Sequence, residues 1–212
     1  MKLKEKYIRL TSQNILHGLN IPVIGLTGGI ATGKSTVAKF FRNKGLPILD
    51  ADELVKNIYA KDETRNFIKQ NFSTAIQHDR IHFPTLREIF FNDAKAKDEI
   101  ERFIYQRLPQ EFLDALTKLG NPDFIIYDVP LLFEKKLNLL VDLTVVVYAP
   151  RGVQRARLMK RDGILDEMAQ NILNHQEDIE DKKSKADFII DNSQSETELR
   201  EEIEQFLRKI LH

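Results

Sequence analysis

The chain has 212 residues, 32 lysines and arginines against 32 aspartates and glutamates, and no cysteine. This length suits one α/β domain with a sizeable core and room for an inserted subdomain. The balanced charge gives no global basic field for nucleic acid or an anionic membrane surface, and the missing cysteine excludes disulfides and thiolate metal sites.

Residues 1–20 are charged and polar without an apolar leader core, and no run in the chain approaches the ~18 apolar residues of a membrane span. A cytoplasmic home is therefore expected, with no membrane partner. This N-terminal extension either forms an extra helix or stays frayed, and nothing in it suggests chemistry. The remainder, residues 21–212, reads as a single domain in which short apolar strands alternate with helical patterns, as in a parallel sheet covered by helices.

The first strand, Val23 to Leu26, leads into Gly25-Leu-Thr-Gly-Gly-Ile-Ala-Thr-Gly-Lys-Ser-Thr36. This stretch satisfies G-x-x-x-x-G-K-[ST] at Gly28, Gly33, Lys34 and Ser35, between a strand and the helix Ser35 to Phe41, which is the context the motif requires. Glycines let successive N–H groups turn inward, and the helix start adds its unpaired first-turn amides and the positive end of its dipole. Gly28, Gly29, Ile30, Ala31, Thr32 and Gly33 thus form an anion nest. Lys34 would reach the β and γ phosphates, the Ser35 hydroxyl would ligate Mg²⁺, and Thr36 continues the helix beside them.

Gly45 stands where a left-handed helix cap is expected. The second strand, Leu46 to Leu49, runs into Asp50-Ala-Asp52. Ligands of open parallel sheets collect beyond the carboxyl ends of strands, so one of these carboxylates can accept a proton from an attacking hydroxyl or hold magnesium through water. The competing role for Asp52 is to cap a helix from Glu53 to Tyr59. Beside a phosphate loop, chemistry is favoured for Asp52 and a supporting role for Asp50. About 70 residues without an obvious strand follow, too many for a simple crossover. Asp62 to Phe72, Thr85 to Phe91 and Asp93 to Leu119 read as helices, giving a helical insertion over about residues 60–120. Within it His78 and His82 lack a third ligand and span a turn at Asp79-Arg80, so no metal is expected there.

The third strand, Phe124 to Tyr127, ends in Asp128, the arrangement in which a carboxylate orients magnesium or its water shell. Pro130 stops the strand. Leu131, Leu132 and Phe133 form either a wall for an organic substrate or ordinary core, and Glu134 is either a substrate contact or a loop charge. A fourth strand, Leu143 to Tyr148, precedes a basic helix on which Arg157 and Arg161 lie four residues apart. That spacing aims both guanidinia the same way, either to clamp a triphosphate from a lid over about residues 155–175 or to form a solvated face. Gly163 would end or hinge this lid. The fifth strand is Phe188 to Ile190.

The succession of this loop, Asp-Ala-Asp at 50–52, D-x-PLLFE at 128–134, R-x-x-x-RDG at 157–163, Gln176 and Ala186-Asp-Phe-Ile-Ile-Asp-Asn192 resembles, in order and spacing, the bacterial dephospho-coenzyme A kinases across about residues 21–210. The resemblance implies a P-loop kinase-type, three-layer α/β/α fold with a five-stranded parallel sheet, a helical substrate subdomain and a mobile lid. It implies ATP and Mg²⁺ as cofactors and dephospho-CoA as the small-molecule substrate, phosphorylated on its ribose 3′-hydroxyl in the last step of coenzyme A synthesis. It further implies that Thr27, Lys34, Asp52 and Arg161 belong to the reaction centre, that Arg157 and Asn192 lie on the nucleotide, and that Asp50, Leu131, Leu132 and Glu134 lie on the substrate. The chain would act as a monomer or small homo-oligomer. The family's loop usually has glycine where Ala31 stands, so Ala31 is expected to keep φ below zero. Its helical block usually differs at Ser73, His82-Phe83 and Tyr105-Gln106. A kinase for another small hydroxyl substrate, such as a nucleoside, would share the ATP machinery. A nucleotide-dependent switch or ATPase would need effector elements that are not visible, and no N-K-x-D guanine motif is present.

Overall fold

The computed structural model describes residues 1–212 as two compact units, one made of Met1–Asp50 with Asn121–His212 and the other of Ala51–Gly120. No helix is long and apolar enough to cross a membrane.

In the first unit, β1 (Val23–Gly28) leads to α1 (Lys34–Asn43) and β2 (Ile48–Asp50). After residue 120 the unit resumes with β5 (Ile125–Asp128), β6 (Leu143–Tyr148), α6 (Arg151–Asp162), α7 (Asp166–Asn174), α8 (Ile179–Lys185), β7 (Phe188–Asp191) and α9 (Glu196–Ile210). All five strand candidates are present, in a parallel sheet of order β2-β5-β1-β6-β7. Side-chain alternation splits the sheet into two faces. Ile24, Leu26, Val145 and Val147 join Val37 and Phe41 of α1 and Ile203 of α9 in one core, while Val146 and Tyr148 turn to Ile179 of α8 and Phe133. From β1 the chain moves out to β2, returns to β5 and crosses to β6 on the other flank of β1. The carboxyl end of β1 is therefore where the winding reverses, the place at which such sheets bind ligands.

Residues 1–20 neither form an extra α-helix nor fray. Two 3-10 turns, Glu5–Tyr7 and Leu16–Gly18, are pinned to the sheet unit. Leu3 is buried and pairs with Leu211, and the Lys4 ammonium donates to the carbonyls of Arg208 (2.8 Å) and Lys209 (3.1 Å) at the end of α9, where a cation suits the dipole. Asp142 accepts the N–H groups of Arg9 (2.7 Å), Leu10 (2.8 Å) and Val23 (2.9 Å).

The second unit contains α2 (Ala51–Ala60), α3 (Asp62–Asn71), β3 (Ile76–Gln77), β4 (Arg80–Ile81), α4 (Phe83–Asn92) and α5 (Ala94–Lys118). Asp93 caps α5, accepting from the N–H groups of Lys95 and Ala96. The β3–β4 hairpin corrects the strand-free reading of this block. His78 and Asp79, with φ of 49° and 58°, are its two turn residues, and positive φ at both is what a two-residue type I′ hairpin demands. No cluster of His, Cys, Asp and Glu suited to a metal ion occurs in the molecule.

Candidate active site

Between β1 and α1 the chain forms a loop whose last residue, Gly33, has φ of 92° and caps the helix. A Cβ on Gly33 would lie 2.0 Å from the Asn192 amide nitrogen, so only glycine fits. Ala31 departs from expectation: its φ is 58°, a left-handed conformation that costs an alanine about 1–2 kcal/mol. The loop is held in that shape from several sides. The Thr32 hydroxyl donates to the Gly29 carbonyl (2.9 Å), and the Ile30 N–H donates to Oε1 of Gln176 (2.9 Å). The Thr32 carbonyl accepts from the Asn192 side-chain amide (2.7 Å).

Lys34 opens α1, and its ammonium forms an ion pair with Asp128 at the end of β5. Strand register places Asp128 beside Leu26 of β1 and Asp50 of β2, so three strands deliver these groups to one edge of the sheet. Burial pushes the Asp128 carboxyl above its usual range, against the pull of the Lys34 ammonium, and neighbouring Asp50 adds to the upward push. Asp50 itself lies 3.6 Å from Arg42. Ser35 and Thr36 are exposed in the first turn of α1, at the mouth of a groove of about 530 Å³ that continues between α1 and α9.

The two arginines of α6 do not aim the same way. Arg157 reaches the carbonyls of Asn192 (2.8 Å) and Thr32 (3.4 Å), bracing the phosphate loop against the end of β7. Arg161, one turn further on, is 59% exposed and gives two hydrogen bonds to Asp162 (2.7 and 2.8 Å). The adjacent carboxylate captures it at the end of the helix, where Gly163 takes a left-handed cap. An exposed pair of this kind is screened by solvent and readily given up.

Among the other expected site residues, Thr27 and Leu132 sit in the core. Thr27 is wholly buried and its hydroxyl donates to the Pro130 carbonyl (3.1 Å), so it has no access to reacting atoms in this conformation. Leu132 is likewise buried, its methyls filling the space that a Cβ on Gly25 would occupy; it belongs to the core and not to a substrate wall. Leu131 is exposed, and Glu134 pairs with Lys182 at 2.7 Å. Asp52 lies inside the first turn of α2 in the helical unit and not ahead of it, which removes it from the capping position expected for a helix starting at Glu53.

Three residues had no assigned role in the sequence reading: Gln176, Lys182 and Gln154, the last buried with its amide donating to the Ala149 carbonyl (2.8 Å). Gln176 stood in the resemblance without a job. Lys182 carries no local signal, because its partners Glu134 and Pro130 lie about 50 residues earlier in the chain, and Gln154 bonds a carbonyl five residues back, a contact no motif announces.

A family model described as dephospho-CoA kinase matches residues 22–198. A dephospho-CoA kinase of Bartonella henselae is 34% identical over 192 residues, covering 89% of this chain and 98% of that protein. The Helicobacter pylori protein of the same name is 36% identical over 192 residues, covering 89% and 97%. Among solved structures, one from Thermus thermophilus superposes with a TM-score of 0.79 at 27% identity, over 91% of this chain and 99% of that one. A dephospho-CoA kinase from Campylobacter jejuni gives a TM-score of 0.66 at 30% identity, over 88% and 96%.

Proposed function

We propose, from the premise that this chain belongs to the dephospho-CoA kinase family, that it transfers the γ-phosphoryl group of ATP to the ribose 3′-hydroxyl of dephospho-CoA, releasing coenzyme A and ADP in the cytoplasm. The observation that carries this reading is the convergence of Lys34, Asp128, Arg157 and Asn192 on one loop at the carboxyl end of β1.

The chain's own groups suit that chemistry. In the first turn of α1 the Thr36 N–H already donates to the Gly33 carbonyl (2.9 Å), and in the loop the Ile30 and Thr32 N–H groups are held by Gln176 and the Gly29 carbonyl, so the anion would be met chiefly by the Lys34 and Ser35 amides and the positive end of the helix dipole. Lys34 leaves Asp128 for the β and γ oxygens, where its charge offsets what develops on the transferring group. Ser35 and the freed Asp128 are the donors that fit Mg²⁺, an ion satisfied by one or two carboxylates plus phosphate oxygens and water. Held there, Mg²⁺ would supply neutralisation of phosphate charge. Arg157 holds the nucleotide side by fixing Thr32 and Asn192. Arg161 exchanges Asp162 for the phosphoryl group, and Asp52 accepts or orients the proton of the attacking hydroxyl. Asp50, paired with Arg42, supports Asp128, while Leu131 and Glu134 contact the acceptor. Thr27 acts by fixing Pro130.

The test is to incubate the purified protein with Mg-ATP and a panel of dephospho-CoA, nucleosides and shikimate. Phosphate is expected on dephospho-CoA. Robust transfer to another acceptor, with none to dephospho-CoA, would overturn the proposal.

A further inference from the structure

Lys182 carries a charge in an unusual place. Its side chain is 1% exposed, on the short helix α8, yet lysine is almost never fully buried unless paired. Its ammonium lies 2.7 Å from Oε1 of Glu134 and donates to the Pro130 carbonyl at 3.2 Å. That same carbonyl receives the Thr27 hydroxyl at 3.1 Å. Two donors, one from α8 and one from β1, thus converge on a single oxygen two residues beyond Asp128, and the ammonium also reaches the far end of the same loop at Glu134.

The helix that presents Lys182 is firmly seated. Ile179, three residues earlier and on the same face, is buried against Phe133, Val146 and Tyr148. Asp178 accepts from the Glu180 N–H (2.9 Å), and the Tyr148 hydroxyl donates to the Glu180 carboxylate (2.6 Å). Replacing the whole Lys182–Glu134 pair by neutral side chains of similar volume would avoid the cost of desolvating an ammonium, and such exchanges are often neutral or stabilising. Stability alone therefore gives no reason for a lysine here, whereas the loop it holds does.

We propose that Lys182 is a positioning residue for the phosphoryl acceptor: it fixes the Pro130 carbonyl and the Glu134 carboxylate, and so sets the conformation of residues 129–134 beside Asp128. The inference rests on the acceptor-side role given above to Glu134. Lys182 touches neither reacting atoms nor nucleotide; it acts through that loop.

Steady-state kinetics with both substrates test this on wild type, on the two variants that lack Lys182, namely Lys182→Met and Lys182→Met combined with Glu134→Gln, and on Glu134→Gln alone as their reference, each with its thermal midpoint. Lys182→Met is expected to raise the KM for dephospho-CoA about tenfold while the KM for ATP stays within about twofold. The double variant removes the unpaired carboxylate, so it should recover the thermal midpoint; because Glu134 itself contacts the acceptor, its raised acceptor KM is read against Glu134→Gln alone, and the two losses should be less than multiplicative, as expected if Lys182 works through that carboxylate. An unchanged acceptor KM in both variants overturns the inference. So does an equal loss on the ATP and acceptor sides that disappears when the midpoint recovers. A wild-type protein that leaves dephospho-CoA unphosphorylated overturns the functional reading itself, a result seen before any variant is made.

Discussion

In the sheet unit every residue of β1, β5 and β6 is buried, and the loop that follows β1 inherits its position from backbone ladders on both sides. The unit Ala51–Gly120 is built differently. Its core of Ile58, Ile68, Leu86, Ile100 and Ile104 is closed by rings, with Phe67 stacked on Phe103 at 3.9 Å and Tyr59 edge-on to Phe83, while Phe91, Tyr105 and part of Phe83 stay exposed. The loop after β1 thus takes its place from main-chain ladders, with a few side chains, those of Thr32, Gln176 and Asn192, bracing its shape. A surface of side chains is freer to vary, and this unit holds Ser73, His82-Phe83 and Tyr105-Gln106, whereas the loop of the sheet unit holds one residue of unexpected conformation, Ala31. Substitutions in the two units should therefore fail in different ways.

Asp52 gives the largest expected effect and is the one reaction-centre residue assigned to the helical unit. Asp52→Asn should cut kcat by roughly 10² to 10⁴, the range for a positioned general base, with little change in ATP affinity. Asparagine is nearly isosteric and keeps a polar group in the first turn, so the thermal midpoint measured on the same protein separates lost chemistry from lost stability. Near-normal turnover would take the chemistry away from this unit. A strong shift in the Mg²⁺ titration with activity retained would make Asp52 a metal-shell ligand.

Lys34→Ala comes next, with an expected loss of about 10² to 10³ in kcat, as for removal of one preorganised charge-stabilising donor. It should also lower the thermal midpoint, because Asp128 is left buried without its ammonium. The loss stays partial, since a carboxyl already pushed upward by burial escapes the cost by taking a proton. Near wild-type turnover at saturating ATP would show that this loop is not the catalytic phosphate cradle.

The arginines of α6 sharpen the comparison within the sheet unit. Arg157→Ala removes a charge-assisted bond to the Asn192 carbonyl, at about 1.5–3 kcal/mol, and a longer contact to the Thr32 carbonyl, and should raise the KM for ATP about tenfold or more. Arg161→Ala breaks only an exposed pair with Asp162, so it should leave ATP affinity alone and lower kcat. Equal effects of the two on ATP affinity would contradict the geometry, and no effect from either or from both together would leave α6 a solvated face.

What could be read from the sequence follows the same division. The five strands and the phosphate loop were visible because buried parallel strands are continuous apolar runs and the loop is local in sequence. Strand ends shifted by only a residue or two: β2 runs Ile48–Asp50 where Leu46 to Leu49 was expected, and β5 runs on to Asp128. The β3–β4 hairpin was missed because two-residue strands carry no periodicity and its turn, His78-Asp79, lacks glycine. The positive φ of Ala31, the capture of Arg161 by Asp162 and the burial of Thr27 and Leu132 each depend on neighbours that only the folded chain supplies. Docking of residues 1–20 was out of reach for the same reason, since Asp142 and Asp187 lie more than a hundred residues away along the chain.

The smallest expected effect concerns the amino end of β7, the strand whose carboxyl end leads to Asn192. Asp187 accepts the Thr144 N–H and hydroxyl, both at 2.8 Å, and the Arg9 guanidinium at 2.7 Å. Burial pushes its carboxyl up, but the bonds from Thr144 and Arg9 outweigh that and hold it below the usual carboxylate range. A depressed carboxyl contributes stability that is full above its unfolded value, near ~3.9, and is lost as the pH falls through the folded value. Asp187→Asn keeps the shape and one acceptor while losing the charge, which should cost about 1–3 kcal/mol at neutral pH. As the medium is acidified below about pH 4 the wild type surrenders the same interaction, so the gap in stability should close. Both substrates' KM values and kcat should match wild type throughout, because the contacts of Asn192 with Thr32 and Arg157 lie at the opposite end of the strand. Denaturant titrations at neutral and acid pH on both proteins decide it. A gap that stays constant across that range would assign the loss to packing and not to the carboxylate's charge, and a changed KM for ATP would show that the two ends of β7 are coupled.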